Sequence, residues 1–184
     1  EKYSYSKETM DLSRYYGIEK EGQVPIILAD VVAEEKAANI DGNDYLPLSF
    51  VQEQLNSRFY YDMNEKLLLY TTALDLYEIP LDSTTYTVSG EAAEHTCPIF
   101  VLQDEVPYVS LSFMENFSNF ICNVYEAPHR LQIYTENVTH QTAVIQKATA
   151  VRYQGGIKSD ILEQQDAGSQ VTVLEEMENW SKVE

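Results

Sequence analysis

The sequence predicts an α+β fold, in which two duplicated strand–helix–strand–strand units share a core and a small all-β barrel follows them. Two observations lead to this prediction. A Tyr-x-x-Leu-Ser-Phe motif occurs twice, starting at Tyr45 and at Tyr108. From residue 144 onward, short β-prone runs alternate with glycine-containing turns. The sequence therefore predicts a domain of residues 1–136, with repeats at about 24–72 and 97–135, and a second domain of residues 144–184.

The two repeats align over most of their length. Residues 44–71 match residues 107–135 at an offset of 63 (108 − 45), and one added residue of offset extends the match through the closing strands. So many identities in so short a span indicate a duplicated supersecondary unit. The matched pairs are Tyr45 with Tyr108, Leu48 with Leu111, Ser49 with Ser112, Phe50 with Phe113, Asn56 with Asn119, Tyr61 with Tyr125, Leu67 with Leu131, Tyr70 with Tyr134 and Thr71 with Thr135.

Each repeat can be divided into elements from its own residues. The Tyr-x-x-Leu stretch is short, apolar and β-prone, so it predicts a strand. Ser49 and Ser112 stand at the N-cap position of the apolar helical stripe that follows, which is about two turns long. A β-hairpin then closes each unit. Upstream, residues 24–29 form an apolar strand, and Pro25 indicates that this strand lies at the edge of a sheet because proline cannot donate a ladder hydrogen bond.

Composition and charge indicate a globular chain and disfavour binding to nucleic acid or membranes. The hydrophobic fraction of 44% is that of a globular chain, and the net charge is −18. This negative charge disfavours binding to nucleic acid or to anionic membrane surfaces. No apolar run approaches the ~20 residues that span a bilayer, so membrane insertion is not expected. The chain begins Glu-Lys-Tyr, and we expect it to be a piece of a longer protein with any signal peptide or anchor upstream.

Residues with catalytic or metal-binding chemistry are scattered along the chain. Cys97 and Cys122 can form one disulfide or remain as buried thiols, and the sequence leaves both possibilities open. The three histidines, His95, His129 and His140, are not spaced as metal ligands. Adjacent carboxylates arise freely in a chain with 30 acidic residues and predict a solvated face. The sequence therefore predicts no catalytic residue, no metal and no cofactor.

Aromatic side chains are the best candidates for ligand contact. The chain has 14 tyrosines, and the tyrosine side chain combines an apolar face with a hydroxyl group. Tyr60 and Tyr61 alternate across a predicted strand, so one of them points away from the core, and the repeat alignment places Tyr61 inside. In the terminal segment, Tyr153 and Trp180 are candidates for the aromatic wall of a binding groove, although core packing is the default for Trp180. We therefore predict Tyr60, Tyr153 and Trp180 as ligand-binding residues.

The first domain resembles the copper amine oxidase N-terminal-like domain of bacterial surface proteins. The residues that carry the resemblance are IDGNDYLPLSFVQEQL and FYYDMNEKLLLYT, and it covers roughly residues 24–135. The resemblance implies a non-catalytic stalk module with an α+β fold at the cell envelope.

The terminal segment is similar to a bacterial SH3-like domain, through KATAVRYQGGIKSDILEQQDAGSQVTVLEEMENWSKVE. Such domains commonly recognise cell-wall peptides or glycans. The match stops at Glu184, before the last strands of that family, so the barrel is either incomplete or continued in sequence outside this chain.

The order of the two modules resembles the N-terminal part of secreted glycoside hydrolase family 18 (chitinase-like) proteins of Gram-positive bacteria. That resemblance implies an extracellular or envelope location, with the catalytic domain C-terminal to this chain. Two functions are therefore expected. The first is a non-catalytic spacer or interaction module, and the alternative is a specific carbohydrate- or peptidoglycan-binding module.

Overall fold

The computed structural model describes residues 4–135 and 141–184. The chain divides into two compact units, one of residues 20–136 and the other of residues 1–19 together with 137–184. The helices are α1 (Leu12–Tyr15), α2 (Leu48–Phe50) and α3 (Leu111–Met114), and a π-helical turn covers Val51–Leu55. The strands are β1 (Gln23–Leu28), β2 (Val31–Ile40), β3 (Asn43–Pro47), β4 (Phe59–Asp62), β5 (Leu67–Thr71), β6 (Leu76–Pro80), β7 (Thr85–Val88), β8 (Glu91–Glu94), β9 (Phe100–Gln103), β10 (Val106–Ser110), β11 (Ile121–Tyr125), β12 (Arg130–Tyr134), β13 (Gln141–Val144), β14 (Thr149–Arg152), β15 (Ile161–Gln165), β16 (Gln170–Glu176) and β17 (Ser181–Val183).

The fold is mostly β, and the predicted α+β class is wrong. Strands account for 49% and helices for 9% of the structure. The apolar residues of the predicted helical stripes are buried as expected, among them Phe50, Val51, Phe113 and Met114. One or two turns are enough to bury them, so each helix forms a corner between strands and not a separate layer.

The helix caps also differ from the prediction. α3 is capped by Ser110, whose Oγ accepts a hydrogen bond from the amide N–H of Phe113 at 3.4 Å. The N-cap of α2 is Pro47, and no side chain caps that helix. In both repeats the strand ends one residue before the leucine of the Tyr-x-x-Leu stretch, and the N-cap lies two residues before the predicted serine. Ser49 and Ser112 therefore lie inside the helices, and their predicted capping role is wrong.

Residues 20–136 form two sheets. The order of the seven-stranded sheet is β11-β12-β1-β2-β3-β10-β9, and that of the five-stranded sheet is β4-β5-β6-β7-β8. The pair β1 and β12 is parallel, and the other neighbours are antiparallel.

Strand β1 lies inside its sheet, so the predicted edge position is wrong. It is flanked by β2 and β12. Proline is tolerated here because the parallel pairing with β12 begins only at Ile26, after Pro25. On the other side, the register with β2 shifts between Pro25 and Ile27. At this irregularity the regular ladder is interrupted, so no hydrogen bond from Pro25 N is required even though the strand is not at the sheet edge.

The two repeats meet through their first strands. β3 and β10 are antiparallel neighbours, and Leu46 lies opposite Val109, the residue at the same position of the other repeat. The hairpins that contain these strands also have equivalent registers, since Ala38 faces Tyr45 and Val101 faces Tyr108. The central four strands, β2-β3-β10-β9, therefore have pseudo-two-fold symmetry.

The registers of the two closing hairpins correct the sequence alignment of the repeats. The hairpin β4–β5 closes with the pair Asp62 and Leu67, and β11–β12 closes with Tyr125 and Arg130, so both loops have equal length. The offset of 63 therefore continues through the closing strands, and the added residue of offset is wrong. In structural terms Leu131 is the counterpart of Leu68, and both side chains are fully buried.

A single hydrophobic cluster contains side chains from both sheets and from the helical corners of this unit. Leu48 and Phe50 of the first motif, and Leu111 and Phe113 of the second, belong to this cluster. Tyr45 is also buried, and its hydroxyl donates to the carbonyl oxygen of Pro98 at 2.8 Å. The duplicated motif thus supplies core residues to the fold.

The other unit consists of two small sheets, of order β13-β16-β17 and β14-β15. They do not close, so the predicted barrel is wrong. The N-terminal segment packs with these strands: the amide of Ser6 donates to the carbonyl of Ile157, and Thr9 forms a parallel bridge with Ile161. The assignment of residues 144–184 to an SH3-like domain stays a prediction.

Candidate ligand-binding surface

The unit of residues 1–19 and 137–184 exposes several aromatic rings, and two of them were predicted as ligand-binding residues. Tyr153 follows β14 and is 48% exposed, and Trp180 precedes β17 and is 38% exposed. We call Tyr15, Tyr153 and Trp180 together the aromatic surface. None of the three side chains is fully buried. Core packing, the default expectation for Trp180, is therefore not observed.

Tyr153 contacts a tyrosine from the N-terminal segment. The ring centroids of Tyr15 and Tyr153 are 5.9 Å apart and the rings meet edge to face, and Tyr16 packs edge to face on Tyr15 at 4.9 Å. The loop after Tyr153 is fixed by hydrogen bonds, since the amide of Gln154 donates to Ser159 Oγ at 2.8 Å. Tyr15 is a member of this group that the sequence could not reveal, because it lies far from Tyr153 along the chain.

Trp180 covers a glycine. A Cβ atom placed on Gly155 would lie 3.2 Å from Cγ of the indole ring, closer than side chains normally pack. The turn that carries Trp180 is closed by a hydrogen bond from the amide of Met177 to the Trp180 carbonyl at 2.8 Å. The absence of a side chain at Gly155 therefore lets the indole lie against the loop that follows Tyr153.

Exposed aromatic rings held by packing and backbone hydrogen bonds are suited to contact with apolar faces of a ligand. Tyrosine and tryptophan offer a flat apolar face together with a polar group, and they keep few rotatable bonds.

Tyr60, the third predicted ligand-binding residue, lies on β4 in the other unit. It is 63% exposed, while Tyr61 packs edge to face on buried Phe100 at 4.9 Å. The alternation predicted from the sequence therefore holds for these two side chains. The structure adds no neighbouring aromatic ring to Tyr60 among the described residues, and its role in binding stays a prediction.

A serine–histidine pair that sequence reasoning missed lies near α3. His95 Nε2 is 2.8 Å from Ser112 Oγ, which is itself 2.9 Å from Ser110 Oγ. Burial lowers the pKa of His95, so the ring is neutral at neutral pH and shares a hydrogen bond with Ser112. Within residues 4–135 and 141–184, no carboxylate pairs with the His95 ring. Among the described residues the pair therefore has no carboxylate in the orienting position of a catalytic triad.

Both cysteines are free thiols, which decides between the two alternatives left by the sequence. Cys97 is buried, with its Sγ 3.5 Å from Ser110 Oγ. Burial raises the pKa of Cys122 to about 12, and the charges of Glu115 and Asp44 act in the same direction. Cys122 is therefore a protonated, weakly reactive thiol at neutral pH.

Metal binding has no support in the part of the chain that the structure describes: no group of three or more His, Cys, Asp or Glu side chains is placed to hold an ion. His140 lies outside the described residues. Among the described residues, no helix is long and apolar enough to cross a bilayer.

Comparison with known proteins found no matching family model, curated protein or solved structure. The resemblances to a stalk domain, an SH3-like domain and secreted chitinase-like proteins stay predictions. The chain is thus defined by its own structure as a mostly β protein of two units, with a duplicated half and an exposed aromatic surface.

Proposed function

We propose that the chain is a non-catalytic extracellular spacer or interaction module, accessory to a carbohydrate-active domain C-terminal to it. The observation that carries the proposal is the use of the duplicated motif. Leu48, Phe50, Leu111 and Phe113 are all buried in one cluster, so the duplication extends a scaffold and presents no repeated site. The extracellular location rests on the resemblance to envelope modules, and the charge of −18 fits a solvated surface.

The serine–histidine pair provides a sharp test of the non-catalytic character. The chain is incubated with a fluorophosphonate probe, with simple esters, and with chitin and peptidoglycan. We expect no labelling and no turnover above the level of the Ser112→Ala variant, because His95 has no orienting carboxylate among the described residues. Ester turnover that disappears in both Ser112→Ala and His95→Gln would overturn the proposal.

A second candidate function is favoured by the aromatic surface: binding of a cell-wall glycan or peptide. Tyr15 and Tyr153 contact each other, and Trp180, whose ring lies against Gly155, is exposed in the same unit. This function is compatible with an accessory role, since a module that holds the wall also positions its neighbour.

Pull-down on purified peptidoglycan and on insoluble chitin tests this second function. We expect Tyr153→Ala and Trp180→Ala each to weaken binding about fivefold, the usual size of a lost aromatic contact. Tyr125→Ala is the matched control, because it removes a comparably exposed tyrosine, not predicted to bind ligand, from the other unit. Equal losses in all three variants would point to non-specific adsorption, and no binding by the parent chain to either polymer would remove the candidate.

A further inference from the structure

His129 lies between two carboxylates that come from different repeats. Its Nε2 is 2.8 Å from Asp44 Oδ1 and 3.0 Å from Asp44 Oδ2, and its Nδ1 is 2.8 Å from Glu126 Oε1. Asp44 belongs to β3 of the first repeat. Glu126 and His129 are in the loop between β11 and β12 of the second. The imidazole thus joins two segments that are far apart in sequence.

Simultaneous donation to both carboxylates requires a charged ring. A neutral imidazole has one N–H and can donate to one carboxylate only, whereas the imidazolium ion donates from both nitrogens. The side chain of His129 is 28% exposed and that of Asp44 is 13% exposed. Their contact is therefore partly shielded from water and stronger than an ordinary surface ion pair. The contact to Glu126, whose side chain is 74% exposed, is the weaker of the two.

The remaining polar and titratable groups around the ring do not depend on its charge. Arg130 Nη1 donates to the carbonyl oxygens of Glu126 at 3.1 Å and Pro128 at 3.0 Å, so the guanidinium holds the loop backbone. Asn39 Nδ2 donates to Asp44 Oδ1 at 2.9 Å. The Cys122 thiol, which Asp44 influences, is neutral at physiological pH. Loss of the ring proton leaves one N–H for two carboxylates and removes the ionic part of the bridge, while the loop's own hydrogen bonds stay in place.

The direction of the pH effect follows from the opposing influences of burial and of the two carboxylates on the pKa of His129. Burial alone would lower the pKa of His129, but the hydrogen bonds and charges of Asp44 and Glu126 outweigh burial and raise it. In the unfolded chain a histidine titrates at about 6.5. The bridge therefore contributes its full stability below about pH 6.5 and loses that contribution as the pH rises through the higher, folded-state pKa.

We propose that His129 is a pH-operated clip, which fastens the β11–β12 hairpin of the second repeat to β3 of the first when it is protonated. β11 is the outer strand of the seven-stranded sheet, with β12 as its neighbour, and Ile121 and Val124 on it are about half exposed. An outer hairpin of this kind opens more readily than the sheet interior once its loop is released. The neutral ring therefore loosens the hairpin while the core of the unit stays folded.

Nuclear magnetic resonance of the imidazole rings in the whole chain tests the clip directly. His95, whose pKa burial lowers, serves as the internal comparison, and His95→Gln and His129→Gln assign the two signals. We expect the His129 midpoint to lie above that of His95, and Asp44→Asn to bring it down while Glu126→Gln has a smaller effect. A His129 midpoint at or below that of His95, or one that Asp44→Asn leaves in place, would overturn the clip.

Amide hydrogen exchange, corrected for the intrinsic effect of pH on the exchange rate, measures how readily the β11–β12 hairpin opens. Across the His129 titration we expect protection of residues 121–125 and 130–134 to fall about fivefold in the parent chain. In His129→Gln it should stay low and constant, and the amides of β3 and β10 should be unaffected in both. An identical pH dependence of hairpin protection in the two proteins would refute the proposal.

Discussion

Leu46 and Val109 lie opposite each other on β3 and β10, and each occupies the same position in its repeat. Both side chains are fully buried. The duplicated halves therefore meet in the core, and neither half can bury its first strand without the other. The two halves therefore share one hydrophobic core within this compact unit.

Leu46→Ala should strongly destabilise the chain. Removal of a fully buried leucine side chain costs about 2–5 kcal/mol, through lost burial and the cavity that remains. Urea unfolding followed by circular dichroism measures the change in the free energy of unfolding. Leu74→Ala is the control, because Leu74 is 90% exposed, and it should change the stability by less than about 0.5 kcal/mol. Similar effects of the two substitutions would contradict the packing at the β3–β10 pair.

Ser110→Ala should destabilise the chain more than Ser49→Ala. Ser110 is fully buried and its Oγ caps α3, so the loss is about 1–2 kcal/mol. Ser49 is exposed and bonds to Glu35 at the surface, and its removal should cost less than about 0.5 kcal/mol. Thermal unfolding of both variants measures this. A larger loss of stability for Ser49→Ala than for Ser110→Ala would show that the motif serine Ser49 is the more important cap.

Gly155→Ala should displace the indole ring of Trp180. The new Cβ atom would lie 3.2 Å from the ring, so the ring must move by a few tenths of an ångström. Trp180 is the single tryptophan of the chain, and its fluorescence reports this change without interference. We expect a red shift and increased quenching by acrylamide, neither of which should appear with Val144→Ala, an exposed position in the same unit. An unchanged spectrum would mean that the ring does not rest on Gly155.

The two thiols should react slowly in the folded chain and fully in the unfolded one. With the pKa of Cys122 raised to about 12, only about one Cys122 side chain in ten thousand is a thiolate at pH 8. Cys97 is protected by burial. Titration with a disulfide reagent, with and without denaturant, should give two reactive thiols after unfolding with no reductant present. Fewer than two would indicate a bridge between Cys97 and Cys122.

The sequence predicted the parts of the fold that depend on local pattern. The apolar residues of the motif are buried, and Tyr60 is exposed as predicted, although the match of Tyr61 with Tyr125 on which that choice depended is wrong. Helix content was overestimated because an apolar stripe spanning eight residues, such as 48–55, fits a single corner as well as a longer helix. The position of β1 was missed because its parallel pairing joins Ile26 to Leu131, a contact between distant segments with no local sequence signal.

The candidate surface was predicted only in part, because contacts between distant segments leave no local signal in the sequence. Tyr153 and Trp180 were recognised as aromatic residues within the terminal segment. Tyr15 was not, since its contact with Tyr153 depends on an N-terminal segment that packs among strands from the other end of the chain. The His95–Ser112 pair was missed because the two residues meet only when the chain after β8 runs beside α3.

The pairing of β3 with β10 has the form of an isologous contact between two identical subunits. Tyr45 faces Ser110 just as Tyr108 faces Pro47, on either side of the axis that passes between Leu46 and Val109. The duplicated half thus has the internal symmetry of a homodimer within one polypeptide. In a true homodimer every substitution appears on both sides of the axis, whereas fusion lets each side change alone. Ser110 and Pro47 are both N-caps at equivalent positions, but only Ser110 caps with its side chain, a difference that two identical subunits could not have.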